Sequence, residues 1–189
     1  MNRSIKMVLT GLGATLFLAS GAFSAGGGHE EGTKSGMAHN MAPMHEEMEA
    51  KLGDTAAFGA KGRSAEVSRT VNIEASEIRF NVEQLEFKVD ETVRFVITNK
   101  GEQTHELSIG DTEYHQIARQ MMAHMTEMGM DPAAPEHAAI HASAGNTVVV
   151  RVGETKEIVW TFSRPGTFEF SCNMVGHSEV GMKGTITVG

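Results

Sequence analysis

Four side chains in this sequence could hold one metal ion. Three lie in Cys172-x4-His177-x4-Met182, and the fourth is His105 in Thr104-His105-Glu106-Leu107. Together they offer a thiolate, two imidazoles and a thioether. Thiolate and imidazole bind both Cu(I) and Cu(II), and a weak axial thioether helps set the reduction potential. With four protein donors no position is left open for a substrate, unlike a catalytic metal centre. The chemistry implied is one-electron transfer or metal capture. Taken singly, Cys172 reads as a small buried hydrophobe, His177 as a surface residue and Met182 as core. Their shared loop points to a metal. Zinc is disfavoured because thioether is a poor zinc ligand. A Cys–His catalytic pair would need an orienting group and an oxyanion hole, and nothing in the sequence points to them. Cys172 is the only cysteine, so neither an internal disulfide nor a two-cysteine dinuclear copper site can form.

Positioning these donors requires rigid elements. In Thr167-Phe168-Glu169-Phe170-Ser171-Cys172, alternation turns Phe168, Phe170 and Cys172 to one face, toward a core, with Glu169 and Ser171 outward. Gly176 and Gly181 then permit the tight backbone that turns His177 and Met182 back toward the sulfur. His105 stands at the start of a short strand, Glu106 to Ile109, that could face the loop.

The rest of the C-terminal two-thirds repeats the strand pattern. Period-two alternation marks Arg69–Ala75, Leu85–Val89, Thr92–Thr98, Thr147–Val152, Glu157–Phe162 and Gly184–Val188. Turn signals such as Asn99-Lys100-Gly101 and Arg164-Pro165-Gly166 separate them. Seven or eight short strands at this spacing predict an all-β, antiparallel sandwich over residues 67–189. One insert interrupts it, from Asp111 to about Asn146. Asp111 or Thr112 can cap a helix that Gly129 and Asp131-Pro132 end. Ile117, Met121, His124, Met125 and Met128 share a face of that helix. A methionine stripe at this spacing ordinarily packs on a core, and Met121, His124, Met125 and Met128 are also candidate accessory copper donors. His137 and His141 are expected in the loop beyond.

The first 66 residues read differently. Asn2, Arg3 and Lys6 precede an apolar run from Met7 to Leu18 and small residues at 20–25, the pattern of an export signal cleaved near residues 22–25. The run is too short for a comfortable membrane span. Residues 26–66 lack apolar periodicity and are expected to form a flexible arm. The arm carries His29, Met37, His39, Met41, Met44, His45 and Met48, a composition suited to additional Cu(I). The chain holds 16 basic and 24 acidic residues, and loss of the signal removes Arg3 and Lys6 and no acid. So acidic a surface argues against nucleic acid and anionic lipid as partners and is compatible with a cation.

The segment Gly166–Cys172 with His177 and Met182 resembles the C-terminal copper loop of plastocyanin- and azurin-like cupredoxins, and Thr104-His105 resembles the segment bearing their upstream histidine. The resemblance covers about Val67 to Gly189. It implies a Greek-key sandwich with one mononuclear type 1 copper held by His105, Cys172, His177 and Met182. It also implies an electron port at His177 beside Val175, Val180 and Gly181. One position departs: Glu106 stands where many members carry an Asn or Ser that ties the two ligand loops together. The His/Met-rich arm, the Met-rich insert and the His-Glu-Leu segment resemble periplasmic copper-tolerance cupredoxins, the CopI-like group. The expectation is a periplasmic monomer that handles copper, with a soluble electron carrier as the alternative. Its partners would be the copper ion and a periplasmic redox protein or copper transporter. An enzyme is not expected: copper oxidases and nitrite reductases typically need further cupredoxin domains and His-x-His clusters, and no His-x-His occurs here.

Overall fold

Period-two patterning becomes ten short strands in the computed structural model, which describes residues 46–189, the side chains of Ile140 and His141 excepted. The expected export signal lies outside the described residues, as do His29, Met37, His39, Met41, Met44 and His45. The strands are β1 (Ala60–Lys61), β2 (Arg69–Ser76), β3 (Arg79–Phe80), β4 (Gln84–Phe87), β5 (Thr92–Asn99), β6 (His105–Gly110), β7 (Thr147–Val150), β8 (Thr155–Thr161), β9 (Gly166–Ser171) and β10 (Lys183–Val188). They form two five-stranded sheets, in the orders β1-β8-β5-β2-β3 and β4-β10-β9-β6-β7. The inner faces meet in an aromatic core of Phe87, Phe95, Trp160, Phe162, Phe168 and Phe170, all buried.

The sheets are not purely antiparallel as the spacing suggests. β2 pairs parallel with β5, and β4 pairs parallel with β10. Alternation reports which face of a strand is buried and carries no information about direction. The chain leaves the first sheet after β3, lays β4 in the second, and returns as β5 beside β2. That crossing makes the parallel pair.

Among the described residues, three α-helices accompany the sandwich: α1 through residues 46–53, α2 (Thr112–Glu127) and α3 (Pro135–His141). Asp111 caps α2, its carboxylate accepting from the Tyr114 amide at 2.9 Å, and Gly129 at φ +73° ends it. The buried face is Tyr114, His115, Ala118, Met121, Met122 and Met125. It is rotated from the face read from the sequence: Ile117 is only partly buried, and Met128 is 52% exposed. His137 and His141 belong to α3 rather than to a loop. Pro135 fixes the first turn of that helix where no amide is needed.

Residues 46–66, read from the sequence as part of the arm, carry two core side chains. Leu52 and Phe58 are buried, and Phe58 packs on Trp160 at 5.6 Å and Tyr114 at 5.5 Å between ring centroids. β1 adds to the sheet edge against β8. A single aromatic among polar residues gives no periodicity, yet burying one phenylalanine contributes about 2–3 kcal/mol.

Candidate metal centre

The centre lies at one end of the sandwich, where β6 starts and β9 runs into the loop toward β10. Phe168, Phe170 and Cys172 are buried along β9, as alternation requires. Ser171 is buried as well, because α2 covers the outer face of this strand. After Cys172 the loop is closed by its own backbone. The Cys172 amide donates to the Met182 carbonyl, and the Met182 amide to the His177 carbonyl, both at 3.0 Å. Gly176 at φ +86° and Gly181 at φ +104° supply the left-handed turns.

These turns bring three donors together. His105, Cys172 and His177 place their ligand atoms within 4.8 Å of one another. His105 Nδ1 lies 3.3 Å from His177 Nδ1, which lies 3.3 Å from Cys172 Sγ. Two nitrogens bonded to one first-row ion at about 2.0–2.1 Å stand roughly 3.3 Å apart at the tetrahedral angle, so the spacing fits a shared metal. Met182 is fully buried on the same loop. His105, Cys172 and Met182 have no exposed surface, and His177 is half-buried. Val175 and Val180 beside it are 56% and 66% exposed.

The protonation states suit a cation. Burial holds the His105 imidazole down at about 4, reinforced by His177, and burial lowers His177 too. Both rings are therefore neutral at pH 7, with lone pairs free to bind metal. Burial pushes the Cys172 thiol up to about 12, and the Glu106 charge adds to this. The sulfur is thus a thiol until a cation displaces its proton.

Glu106 fills the tying role that its side chain seemed ill suited to. Its Oε1 accepts from the Asn173 backbone amide at 3.0 Å and from Asn173 Nδ2 at 2.8 Å. Its own backbone amide donates to Cys172 Sγ at 3.4 Å. The loop after Cys172 and the start of β6 are thereby joined. Burial raises the Glu106 carboxyl to about 7 against these two bonds. Asn173 and His115 were not singled out from the sequence. His115 is buried on α2, with Nδ1 3.1 Å from Asn173 Oδ1 and Nε2 3.1 Å from the Glu169 carbonyl. The available signals were a histidine on an otherwise apolar helix face and an amide next to the cysteine.

Among the described residues, the other candidate donors lie on α1 and α2. Met121 and Met125 are buried in the core, and Met128 is exposed. Met48 on α1 and His124 on α2 line one groove with Ile117 and Gln120.

Residues 65–189 match the model of the copper-binding proteins of the plastocyanin/azurin family. The chain belongs to that family. It is 33% identical to the copper-resistant cuproprotein CopI of Pseudomonas aeruginosa, over 70% of this chain and 82% of the relative. It is 35% identical to the copper-resistant cuproprotein CopI of Rubrivivax gelatinosus, over 93% of this chain and 92% of the relative. Among solved structures, the blue copper protein auracyanin A of Chloroflexus aurantiacus shares the fold, with a TM-score of 0.51 and 21% identity. That match covers 64% of this chain and 98% of auracyanin A. This cupredoxin therefore binds copper, and its His105–Cys172–His177 cluster could hold the ion.

Proposed function

We propose that the protein is an exported, periplasmic cupredoxin that acts in copper tolerance through a mononuclear type 1 centre held by His105, Cys172, His177 and Met182. The observation that carries this reading is the convergence of two neutral imidazoles and a buried sulfur at the end of one rigid strand. Copper bound there supplies reversible one-electron Cu(I)/Cu(II) chemistry. The protein's part is to fix the donors. Strand β9 and the two loop hydrogen bonds hold Cys172, and β6 holds His105. Burial keeps water from the sulfur, so little rearrangement need accompany a change of oxidation state. The copper-resistance relatives support tolerance as the role. The accessory donors support it as well: His29, Met37, His39, Met41, Met44, His45 and Met48 would take additional Cu(I), with His124 and Met128 offering two more on α2.

A soluble one-electron carrier is the second reading. It is favoured by Val175 and Val180, an exposed apolar rim beside half-buried His177 that suits a brief docking contact with a redox partner.

Deletion of residues 26–45 separates the two readings and spares Leu52 and Phe58. Copper handling predicts that the full mature chain binds several coppers, that the deleted chain binds fewer, and that cells carrying it lose tolerance. A deleted chain with undiminished stoichiometry and tolerance would contradict this role and favour the carrier.

A further inference from the structure

A buried histidine on the core face of a helix calls for a reason. A leucine would fill the same space without a polar group to satisfy, and an unpaired buried polar atom costs about 1–3 kcal/mol. Each His115 ring nitrogen faces an oxygen that only accepts, Asn173 Oδ1 and the Glu169 carbonyl, both at 3.1 Å; the neutral ring has a single N–H, and the tautomer protonated on Nδ1 donates it to Asn173. The Glu169 contact sets the ring against β9. The Asn173 bond does something else. Asn173 Nδ2 already donates to Glu106, so the amide is held at one end by Glu106 and at the other by His115. Asn173 follows Cys172 directly, and Glu106 follows His105 and donates to the sulfur. One line of hydrogen bonds therefore runs from the helical insert to both ligand segments.

We infer that His115 is a positioning residue for the copper centre: through Asn173 and Glu106, helix α2 fixes the thiolate and its amide hydrogen bond. This rests on the type 1 reading above. Docking of α2 does not depend on His115 alone. The Tyr114 hydroxyl bonds Thr147 at 2.9 Å, Arg119 pairs with Glu169 at 3.5 Å, and the methionine face is buried. Loss of the Asn173 bond should therefore loosen the ligand loop while the helix stays in place.

The test compares four forms of the mature protein: wild type, His115→Leu, His115→Gln and Tyr114→Phe. Gln can still donate to Asn173, whereas Tyr114→Phe weakens α2 docking and leaves the line to the sulfur intact. Each is loaded with Cu(II) for its thiolate-to-copper band and titrated for its potential. Each copper-free form is measured by amide hydrogen exchange at Glu106 and Asn173. Removing a group bonded directly to a metal ligand typically changes affinity 10–100-fold, and His115 acts further out, so the lower end applies. His115→Leu is expected to shift the band and change the Cu(II)/Cu(I) affinity ratio about tenfold, a potential change of about 59 mV. It should also speed exchange at Asn173 about tenfold. His115→Gln should restore much of both, and Tyr114→Phe should move neither. A band, potential and exchange rate unchanged in both His115 variants would overturn the inference while leaving the type 1 centre standing. So would equal shifts in Tyr114→Phe, because docking alone would then account for them. A wild-type protein with no such band would overturn the type 1 reading and this inference with it.

Discussion

At the β9–β10 end, one cysteine and two histidines aim their donors within 4.8 Å of one another. On α2, the same chemistry is spread out: Met121, Met122 and Met125 are buried in the core, His124 lines a groove and Met128 stands in solvent. Both regions are rich in copper-compatible side chains. They differ in what fixes the backbone. The loop from Cys172 to Met182 starts and ends on adjacent paired strands, with Lys183 opposite Ser171, and its amides close on its own carbonyls. Cys172 and Met182 are buried at its two ends, with His177 half-buried between them. A helix instead distributes its side chains around an axis, and methionines at core spacing are used up by packing. Donor type alone does not make a site; convergence imposed by two strand ends does.

The sharpest way to break this comparison is to remove the sulfur. Cys172→Ser should abolish the intense thiolate-to-copper absorption entirely, as visible spectroscopy of the copper-loaded variant would reveal. An unchanged Cu(II) spectrum would mean that convergence at this loop is not what binds the ion. Met121→Ala should give the opposite profile. It opens a hole in the core and should cost about 2–5 kcal/mol in denaturant unfolding, while the visible spectrum of the folded, copper-loaded protein stays as it was. Loss of the band there with stability intact would give α2 a ligand role in place of a packing one.

A smaller effect sharpens the account of the sulfur. Cys172 is held up at about 12, so it is protonated at pH 8 and must lose its proton to bind. Both imidazoles are already neutral there, with His105 at about 4. Copper binding at pH 8 should release about one proton and strengthen about tenfold per pH unit. The sign follows from the free state holding more protons than the bound one, and calorimetry in buffers of differing ionisation enthalpy reads it. No proton release would mean that the thiol does not bind.

Much of this centre was legible in the sequence because it is local. Alternation in Phe168–Cys172 set the direction of the sulfur, and the glycines at 176 and 181 marked the turns. The strands were legible for the same reason. What was hidden depends on contacts far apart in the chain. The parallel pairings of β2 with β5 and β4 with β10 leave no mark on a period-two pattern. Phe58 joins the core from a stretch with no periodicity of its own. The Glu at position 106 was visible in the sequence, but its partner was not. Asn173 lies 67 residues away and donates to the Glu106 carboxylate through its backbone amide and its Nδ2. His115 was passed over because the methionines suggested a different helix face, rotated toward Ile117 and Met128.

The most direct test of the central claim is a titration of the purified protein with Cu(II), followed by visible absorption under oxidising conditions. The proposed convergence of His105, Cys172, His177 and Met182 on one ion predicts an intense thiolate-to-copper band that saturates at one equivalent, whatever further copper the chain takes up. Copper bound with no such band would contradict it, since the buried sulfur at the end of β9 would then not be a Cu(II) ligand.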